Sequence, residues 1–461
     1  MIRIFNHWVR RPTFAKMTLD VGFAALVTSM VVSQNRNGAA LNLSLIASYL
    51  AILALTALVF NFWLGTYFRR GKKNDAAVDR GRAVLAIYLA VPVAYLIFSA
   101  FPGVELKQSL LAISGVAAGF GLLTHQLISS RNSMTSALQR QILIFGVGSK
   151  ALQVMETLNR SDPSAEIVGF YPGPNEEVVK VPRNEVLSSS RSLIDTVRDL
   201  NLSEIVVAVT ERRGGALPLR ELLDCRLHGV RVFDLASHFE QTMGQIRLDA
   251  LYAGWLIFGD GFAQGFQRTL IKRVFDIVCA IILLVLACPV MILTTLAIAF
   301  ESGFPILYRQ ERVGLNGQIF NVIKFRSMRA DAEKDGKPRW AIAGDNRVTR
   351  VGRVIRKLRI DELPQLFSVL KGDMSLVGPR PERPFFVDQL TNKIPFYAVR
   401  HSVKPGVTGW AQVRYPYGAS VEDAAEKLQY DLYYVKNHTL FLDVVVLFET
   451  VWVVLTARGA Q

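Results

Sequence analysis

The sequence of 461 residues has few cysteines and no repeated or low-complexity tract. Its three cysteines, Cys225, Cys279 and Cys288, form no Cys-x-x-Cys pair, which argues against a disulfide framework or a zinc site. No clear small-residue cleavage site precedes Gln34, so we expect an N-terminal anchor and not a cleaved signal peptide. The chain is nevertheless 51% hydrophobic and 20% charged, with a net charge of +15. These figures predict apolar membrane segments with the charge gathered elsewhere.

The excess of basic residues is typical of proteins that bind nucleic acid or an anionic membrane surface. Because membrane segments are predicted, we favour a membrane surface and a phosphorylated substrate over nucleic acid. Topology explains part of the charge equally well, since Lys and Arg mark the inner side of each membrane span.

Four apolar segments of about 20 residues, the length of a membrane-spanning helix, come first in the chain. They occupy residues 17–33, 43–64, 83–101 and 106–128. Basic residues precede the first segment, crowd the connection between the second and third, and follow the fourth. The positive-inside rule then predicts a four-helix transmembrane domain over residues 1–135, with everything after Ser130 in the cytoplasm.

Residues 136–250 read as a Rossmann-like parallel α/β domain in the cytosol. Apolar strands at residues 141–145, 166–171, 204–209 and 230–233 alternate with helical stretches at residues 152–159, 190–199 and 217–227. Gly146 and Gly148 after the first strand resemble a dinucleotide-binding loop. The second strand ends without the acidic residue that would hold a ribose, so a structural or regulatory domain is favoured over NAD binding.

The longest apolar run, residues 272–300, contains Asp276 and Pro289. After four crossings, a fifth would place the rest of the chain outside the cell. Proline removes a backbone N–H and clashes with the carbonyl four residues earlier, so a helix broken at Pro289 can return to the same membrane face. A kinked but complete span is the alternative. We expect re-entry, with a cytoplasmic catalytic domain over residues 265–461.

The closing apolar run, residues 439–456, contains Asp443 and Glu449. Two carboxylates are costly at the centre of a bilayer. We therefore expect a helix that lies at the interface or packs on its domain, and not a span.

Two adjacent carboxylates, Asp361 and Glu362, follow a run of four cations: Arg353, Arg356, Lys357 and Arg359. We expect Asp361 to cap a helix that continues over residues 362–370, with Pro364 in its first turn. Free N–H groups at a helix start, together with clustered cations, favour phosphate binding. A carboxylate held there can act as a nucleophile. A capped helix on a solvated charged face is the alternative.

Further short motifs make an anion site the better interpretation. A proline-locked turn presents Arg380, which suits an anion held in fixed geometry. Lys324 and Arg326 add two cations on one face of a predicted strand, and Arg312 lies in a polar turn.

Five motifs follow one another along the chain: Arg312-Val313-Gly314, Lys324-Phe325-Arg326-Ser327-Met328, Asp361-Glu362-Leu363-Pro364-Gln365, Gly378-Pro379-Arg380-Pro381 and Gly406-Val407-Thr408-Gly409-Trp410. In this order they resemble bacterial polyprenyl-phosphate glycosyl-1-phosphate transferases, the bacterial sugar transferase family, over residues 269–460. The four spans and the α/β domain resemble its large undecaprenyl-phosphate glucose phosphotransferase type. The opening residues 1–7 resemble a subgroup associated with exosortase-linked exopolysaccharide systems.

The resemblance implies a bacterial inner-membrane enzyme that moves a hexose-1-phosphate from a UDP-sugar, UDP-glucose being favoured, to undecaprenyl phosphate. Asp361 would attack the β-phosphate, release UMP and carry the phosphosugar in a ping-pong cycle that initiates exopolysaccharide or capsule synthesis. Glu362 would assist as a base or by positioning, and Mg²⁺ would bind near Asp361. Arg356 and Arg380 would hold phosphates, with Lys324, Arg326 and Arg312 in the same site. The resemblance is also compatible with a homodimer.

Two alternative functions fit the sequence less well. A membrane nucleotide-sugar dehydratase would need a second glycine-rich loop and a Tyr-x-x-x-Lys pair after Gly265, and the sequence has neither. A scaffold of a polysaccharide-assembly complex would leave Asp361, Arg356 and Arg380 without a purpose.

Overall fold

The computed structural model describes residues 140–455, with gaps at residues 162–164, 174–175, 177, 189–190, 210–216, 252, 263–264, 330–346, 417 and 419, and short pieces of residues 2–97. The chain divides into two compact units. The α/β unit comprises Met1–Ile2 and Trp8–His238, and the C-terminal unit comprises Arg3–His7 and Phe239–Gln461. Two short strands, β1 (Ile2–Ile4) and β2 (His7–Val9), occur near the N-terminus.

The four apolar segments predicted at residues 17–33, 43–64, 83–101 and 106–128 lie mostly outside the described residues. Helical pieces are described at residues 54–61 and at several positions within residues 85–97. The number of membrane crossings in this region therefore stays a prediction.

Four parallel strands form the sheet of the α/β unit, as predicted. They are β3 (Arg140–Phe145), β4 (Ala165–Tyr171), β5 (Glu204–Val207) and β6 (Arg231–Asp234), in the order β4-β3-β5-β6. Helices α1 (Ser149–Ser161), α2 (Leu193–Asp199) and α3 (Leu219–Leu227) alternate with them. Leu143, Phe145 and Ile205 lie in the core because both faces of a parallel sheet are covered. Each predicted element is confirmed to within a few residues at its ends.

The glycine-rich loop between β3 and α1 holds a carboxylate of its own chain. Val147 N donates to Glu176 Oε2 at 2.6 Å, and Lys180 N donates to Val147 O at 2.8 Å. In dinucleotide-binding folds, backbone N–H groups of this loop bind the pyrophosphate. Since Glu176 occupies the Val147 N–H, these contacts give NAD binding no support.

The C-terminal unit is mainly helical and contains two small two-stranded sheets. An antiparallel hairpin pairs β7 (Leu307–Val313) with β8 (Ile319–Phe325), and β9 (Ser375–Val377) runs parallel to β10 (Gly406–Thr408). Helix α4 (Leu235–Met243) contains the boundary between the two units. The helices after it are α5 (Ala253–Phe258), α6 (Phe266–Ser302), α7 (Arg350–Lys357), α8 (Gln365–Lys371), α9 (Pro384–Lys393), α10 (Trp410–Arg414), α11 (Val421–Asn437) and α12 (Leu440–Leu455).

Helix α6 is, within the described part of the chain, the one helix long and apolar enough to cross a membrane. Its middle is uncovered, with Val285, Leu286 and Leu293 between 66% and 70% exposed. Pro289 lies inside the helix, and the helical structure continues on both sides of it. The predicted break at Pro289 is therefore wrong at the level of secondary structure, because one proline interrupts only local hydrogen bonds and can be accommodated within a helix.

Both ends of α6 are bonded to the same C-terminal unit. Near its start, Arg273 donates from Nη1 to Val369 O at 2.6 Å and from Nη2 to Leu370 O at 2.7 Å, at the end of α8. At its other end, Glu301 carboxylate oxygens accept from the backbone N–H groups of Arg350 and Val351, at 2.8 and 2.9 Å, where α7 starts. Residues at both ends of α6 therefore contact this unit, whereas apolar residues in its middle are exposed.

Helix α12 packs on its own unit, as predicted. Asp443 Oδ2 accepts from Lys272 Nζ at 2.7 Å, and its Oδ1 accepts from the Tyr434 hydroxyl at 2.6 Å. Glu449 Oε1 accepts from Arg414 Nη2 at 2.8 Å. Both carboxylates are buried and paired, which removes the cost of placing them on an apolar helix.

Candidate active site

The two carboxylates lie in a tight turn between α7 and α8. Arg359 has a φ of 58°, a left-handed conformation that ends α7 and redirects the chain. A short 3₁₀ turn, Ile360–Glu362, follows and is closed by i→i−3 bonds such as Leu363 N to Ile360 O at 3.1 Å. Adjacent residues of this turn point in different directions, so Asp361 and Glu362 have different surroundings.

The predicted capping role of Asp361 is wrong. Helix α8 begins at Gln365, and Pro364 with φ −62° and ψ −15° is the residue before it. Because proline has no N–H, Pro364 cannot make the i→i−4 bond that would extend an α-helix back to Ile360. The turn before it takes 3₁₀ geometry, and the Asp361 carboxylate is left free of a capping bond.

Glu362 is the anchor of a cluster of cations. Its Oε1 accepts from Arg380 Nη2 at 2.7 Å and from Lys324 Nζ at 3.4 Å, and Arg359 Nη1 is 3.8 Å away. Glu362 is buried. Burial would raise its pKa, but Arg380 and Lys324 outweigh burial and hold the pKa of Glu362 well below its usual range. Glu362 is therefore ionised and engaged, which fits a positioning role better than that of a base.

The pKa values of the cations next to Glu362 are shifted as well. The Glu362 charge raises the pKa of Arg380, whereas burial lowers the pKa of Lys324 against the opposing pull of Glu362. One carboxylate thus holds two cationic side chains close together, and their remaining N–H groups suit a second anion such as phosphate.

Asp361 differs from its neighbour in having an unsatisfied oxygen. Its Oδ1 is buried and accepts no hydrogen bond from any described residue. Burial first, and then the negative charge of Glu362, raise the pKa of Asp361 to about 6. An unpartnered carboxylate beside cations is suited to act as a nucleophile, because few bonds must break before it attacks.

Arg380 is held by a turn with little freedom. Gly406 N donates to Pro379 O at 3.0 Å, and Gly378 N donates to Thr408 O at 2.9 Å. A Cβ on Gly406 would lie 2.1 Å from Gly378 N, so only glycine allows this approach. Arg400 Nη2 donates to Arg380 O at 2.9 Å. The backbone around Arg380 is thereby fixed on both sides.

The three other predicted site residues, Arg312, Arg326 and Arg356, lie in three separate places. Arg312 supports the Arg380 turn, donating from Nη1 to Pro381 O at 2.9 Å. Arg326 lies just past β8 and donates from Nη2 to Ser302 O at 2.7 Å and to Gly303 O at 2.6 Å, at the end of α6. The side chain of Arg356, on α7, makes no hydrogen bond or ion pair to a described residue, and its backbone O accepts from Arg359 N at 3.2 Å.

The structure thus brings Lys324 and Arg380 to Glu362 but not Arg326, whose guanidinium caps α6. Phosphate-binding roles for Arg326 and Arg356 stay predictions that these contacts do not support. The sequence pattern includes Arg359 among the four cations before Asp361 but predicts no specific partner for it; the left-handed turn and the spacing of three residues place it near Glu362. The sequence gives no signal for the buried pair of Arg400 and Asp431, whose charged atoms lie 2.8 Å apart, because the two residues are distant along the chain.

Asp361 could contribute one ligand to a divalent cation. Among the described residues, no group of three or more His, Cys, Asp or Glu side chains could hold a metal ion alone. Mg²⁺, however, usually takes one or two carboxylates and completes its shell with water and substrate phosphates. The orphaned Asp361 Oδ1 fits such a shared site.

The C-terminal part of the chain is similar to known proteins. Residues 267–457 match the family model described as bacterial sugar transferase. The chain is 45% identical over 242 residues to the UDP-N-acetylgalactosamine-undecaprenyl-phosphate N-acetylgalactosaminephosphotransferase of Aeromonas hydrophila, covering 52% of this chain and 56% of that protein. It is 34% identical to the undecaprenyl-phosphate glucose phosphotransferase of Komagataeibacter xylinus, covering 71% and 61%.

The alignments therefore span a little over half the length of those two relatives. A third relative, the UDP-glucose:undecaprenyl-phosphate glucose-1-phosphate transferase of Caulobacter vibrioides, is 44% identical, with 41% of this chain and 71% of that protein covered. The matched region contains the Asp361 turn, the Arg380 turn and α6. This chain belongs to the bacterial sugar transferase family.

Proposed function

We propose that the chain transfers a hexose-1-phosphate from a UDP-sugar to undecaprenyl phosphate, the first step in building a polysaccharide repeat unit. The observation that carries the proposal is the unpartnered Oδ1 of Asp361, next to a Glu362 that gathers Arg380 and Lys324. A nucleophile and an anion site side by side suit transfer of a phosphoryl group.

In the first half-reaction, an Asp361 oxygen attacks the β-phosphorus of the UDP-sugar. The bond from that phosphorus to the oxygen bridging the two phosphates breaks, UMP leaves with the bonding electrons, and the sugar phosphate is carried on the carboxylate. Arg380 and Lys324 would stabilise the charge that develops on the phosphate oxygens.

In the second half-reaction, an oxygen of undecaprenyl phosphate attacks the phosphorus of the carried sugar phosphate. The bond to Asp361 breaks, and the carboxylate is regenerated. Glu362 acts by position: its charge keeps Arg380 and Lys324 together through both half-reactions, and its depressed pKa leaves it unable to take a proton near neutral pH.

Magnesium is part of the proposal. Asp361 Oδ1 would hold it together with phosphate oxygens of the donor, and when bound it would neutralise charge on the diphosphate. The unpartnered state of this buried oxygen is the support for a cation there.

For the membrane, we propose that α6 enters the lipid and returns on the cytoplasmic face of the inner membrane. The support is that Arg273 near its start and Glu301 at its end bond to one unit. A helix that crossed the bilayer would place those two contacts on opposite sides of about 30 Å of hydrocarbon. The uncovered apolar residues around Pro289 would face the acyl chains.

UDP-glucose is the proposed donor, since two of the three relatives described above are glucose transferases by name. The relative with 45% identity is named for N-acetylgalactosamine. UDP-N-acetylgalactosamine is therefore the first competing donor in the test.

The test measures UMP release from purified protein with undecaprenyl phosphate, Mg²⁺ and each UDP-sugar in turn. Asp361→Asn should release no UMP, and Asp388→Asn, an exposed aspartate on α9, is the matched control that should behave as the parent. A second arm omits undecaprenyl phosphate and follows exchange of labelled UMP into the UDP-sugar. Exchange is expected from a covalent intermediate, and its absence with an active enzyme would reject the two-step route.

A further inference from the structure

The segment Arg3–His7 belongs to the C-terminal unit, although the α/β unit separates them in sequence. The imidazole of His7 is buried, with 5% of the residue exposed. Its ring centroid lies 5.6 Å from that of Trp410, 5.9 Å from Tyr433 and 6.1 Å from Phe441. His7 Nδ1 and the Tyr433 hydroxyl are 2.7 Å apart and share a hydrogen bond. Trp410, Tyr433 and Phe441 thus form an aromatic socket around the His7 ring, and Tyr433 pairs its Nδ1.

The surroundings of His7 keep the imidazole uncharged. Burial, and then the positive charge of Arg414, lower the pKa of His7 to about 3. An uncharged ring can be buried among aromatic side chains at little cost if its nitrogen is hydrogen-bonded. The contact therefore persists at any pH at which the protein is expected to work.

Trp410 connects this socket to the active site. Its Nε1 donates to Gly244 O at 2.8 Å, and the Arg414 guanidinium lies 4.2 Å from its ring centroid. Trp410 begins α10 two residues after β10 ends at Thr408. The β10 backbone bonds to Gly378 and Pro379, directly before Arg380. A shift of the indole would therefore be transmitted to the turn that presents Arg380.

We propose that Arg3–His7 is a docking segment that completes the C-terminal unit, with His7 as a positioning residue for the Trp410 turn and, through it, for Arg380. The segment then lies on the membrane face that carries the active site. The chain between residues 8 and 238 must then cross the membrane an even number of times, which agrees with the four predicted spans. This argument for an even number does not use the distribution of charge.

A cross-link tests the docking in native membranes with the full chain. The photoreactive p-benzoylphenylalanine replaces Phe441, an aromatic side chain next to His7. After irradiation and digestion with trypsin, mass spectrometry should find the peptide of residues 437–458 joined to that of residues 4–10. The same probe in place of Phe385, 47% exposed on α9, is the control and should not capture residues 4–10. Absence of the Phe441 link, or equal capture from both positions, would overturn the proposal.

A kinetic arm tests the positioning and rests on the proposed transfer activity. His7→Ala should lower kcat for UMP release about tenfold with little change in KM for the donor, since misplacement affects the reacting geometry more than ground-state binding. His7→Asn, whose amide can replace Nδ1 in the bond to Tyr433, should recover most of the loss. His228→Ala, an exposed histidine of the α/β unit, is the control.

Unchanged kcat in a folded His7→Ala protein would overturn the positioning role. If His7→Ala does not fold, His7→Asn and His7→Phe are compared instead. We expect kcat to fall only in His7→Phe, and equal kcat in the two variants would overturn the role. The cross-link needs no turnover, so a parent protein without transfer activity would refute the proposed function and still leave the docking testable.

Discussion

Arg380 Nη2 donates to Glu362 Oε1 at 2.7 Å, while Oδ1 of the preceding residue, Asp361, accepts no bond from the described residues. Two neighbouring carboxylates thus have opposite surroundings. The engaged one holds the cations, and the unengaged one is available for chemistry. This division of labour follows from the 3₁₀ turn, which points adjacent side chains in different directions.

Arg380→Ala should reduce kcat/KM for UMP release about a hundredfold, the usual effect of removing one preorganised donor. The substitution removes a phosphate ligand and leaves Glu362 with Lys324 and Arg359 only. Arg380→Lys should recover part of the activity, because a lysine restores charge but not the planar fork of arginine. Steady-state kinetics measure the effect, with Lys393→Ala, an exposed cation at the end of α9, as the control. Activity of Arg380→Ala close to that of the parent would contradict the assignment.

The rate of the first half-reaction should rise with pH through about 6, because the Asp361 carboxylate must be ionised to attack and its pKa is raised to about 6. Glu362→Gln should move this inflection to lower pH, since the Glu362 charge is one cause of the raised pKa. A rapid-quench measurement of the UMP burst at a series of pH values checks both. An inflection that stays in place in Glu362→Gln would show that another group titrates.

Breaking the buried pair of Arg400 and Asp431 should cost about 3–5 kcal/mol of stability, because removing one partner leaves an uncompensated buried charge. Asp431 is 1% exposed, Arg400 is 6% exposed, and their closest charged atoms are 2.8 Å apart. The melting temperature of Asp431→Asn should therefore fall. The double variant Arg400→Met with Asp431→Leu should lose less stability than the two single variants combined. If the stability loss of the double variant equalled the sum of the two single losses, Arg400 and Asp431 would not stabilise each other.

Cysteines placed at the start of α6 and beyond its end should label from the same side of the membrane. Gln267, in the first turn of α6, and Gln318, between β7 and β8, are both exposed. With Cys225, Cys279 and Cys288 replaced by serine, Gln267→Cys and Gln318→Cys should react with an impermeant maleimide only in inside-out vesicles. Labelling of the two positions from opposite faces would establish a full crossing and reject re-entry.

Local patterns were enough to predict the α/β unit. Its strands are short apolar runs between turns, and its helices follow the 3.6-residue period, so β3 to β6 and α1 to α3 were found from composition and spacing. The same holds for the packing of α12, because Asp443 and Glu449 could not both face lipid.

Side-chain partners were harder to predict. Arg326 follows Lys324 by two residues, which suggested one shared site, but β8 ends at Phe325 and Arg326 turns to the end of α6. The start of α8 was placed too early because the pattern of polar and apolar residues does not show that Arg359 is left-handed. Pairs such as Arg400 with Asp431 are distant in sequence and leave no local signal.

Residue types and their spacing specify the kinds of groups that this protein brings to its chemistry: two adjacent carboxylates, a set of cations and an apolar helix. These follow from residue type and short-range spacing, which act through local geometry and hydropathy. Folding sets which cation meets which carboxylate, leaves Asp361 Oδ1 unpartnered while Glu362 is engaged, and brings His7 against Trp410. Those outcomes depend on contacts between distant segments, where burial sets the strength of each charge and hydrogen bond.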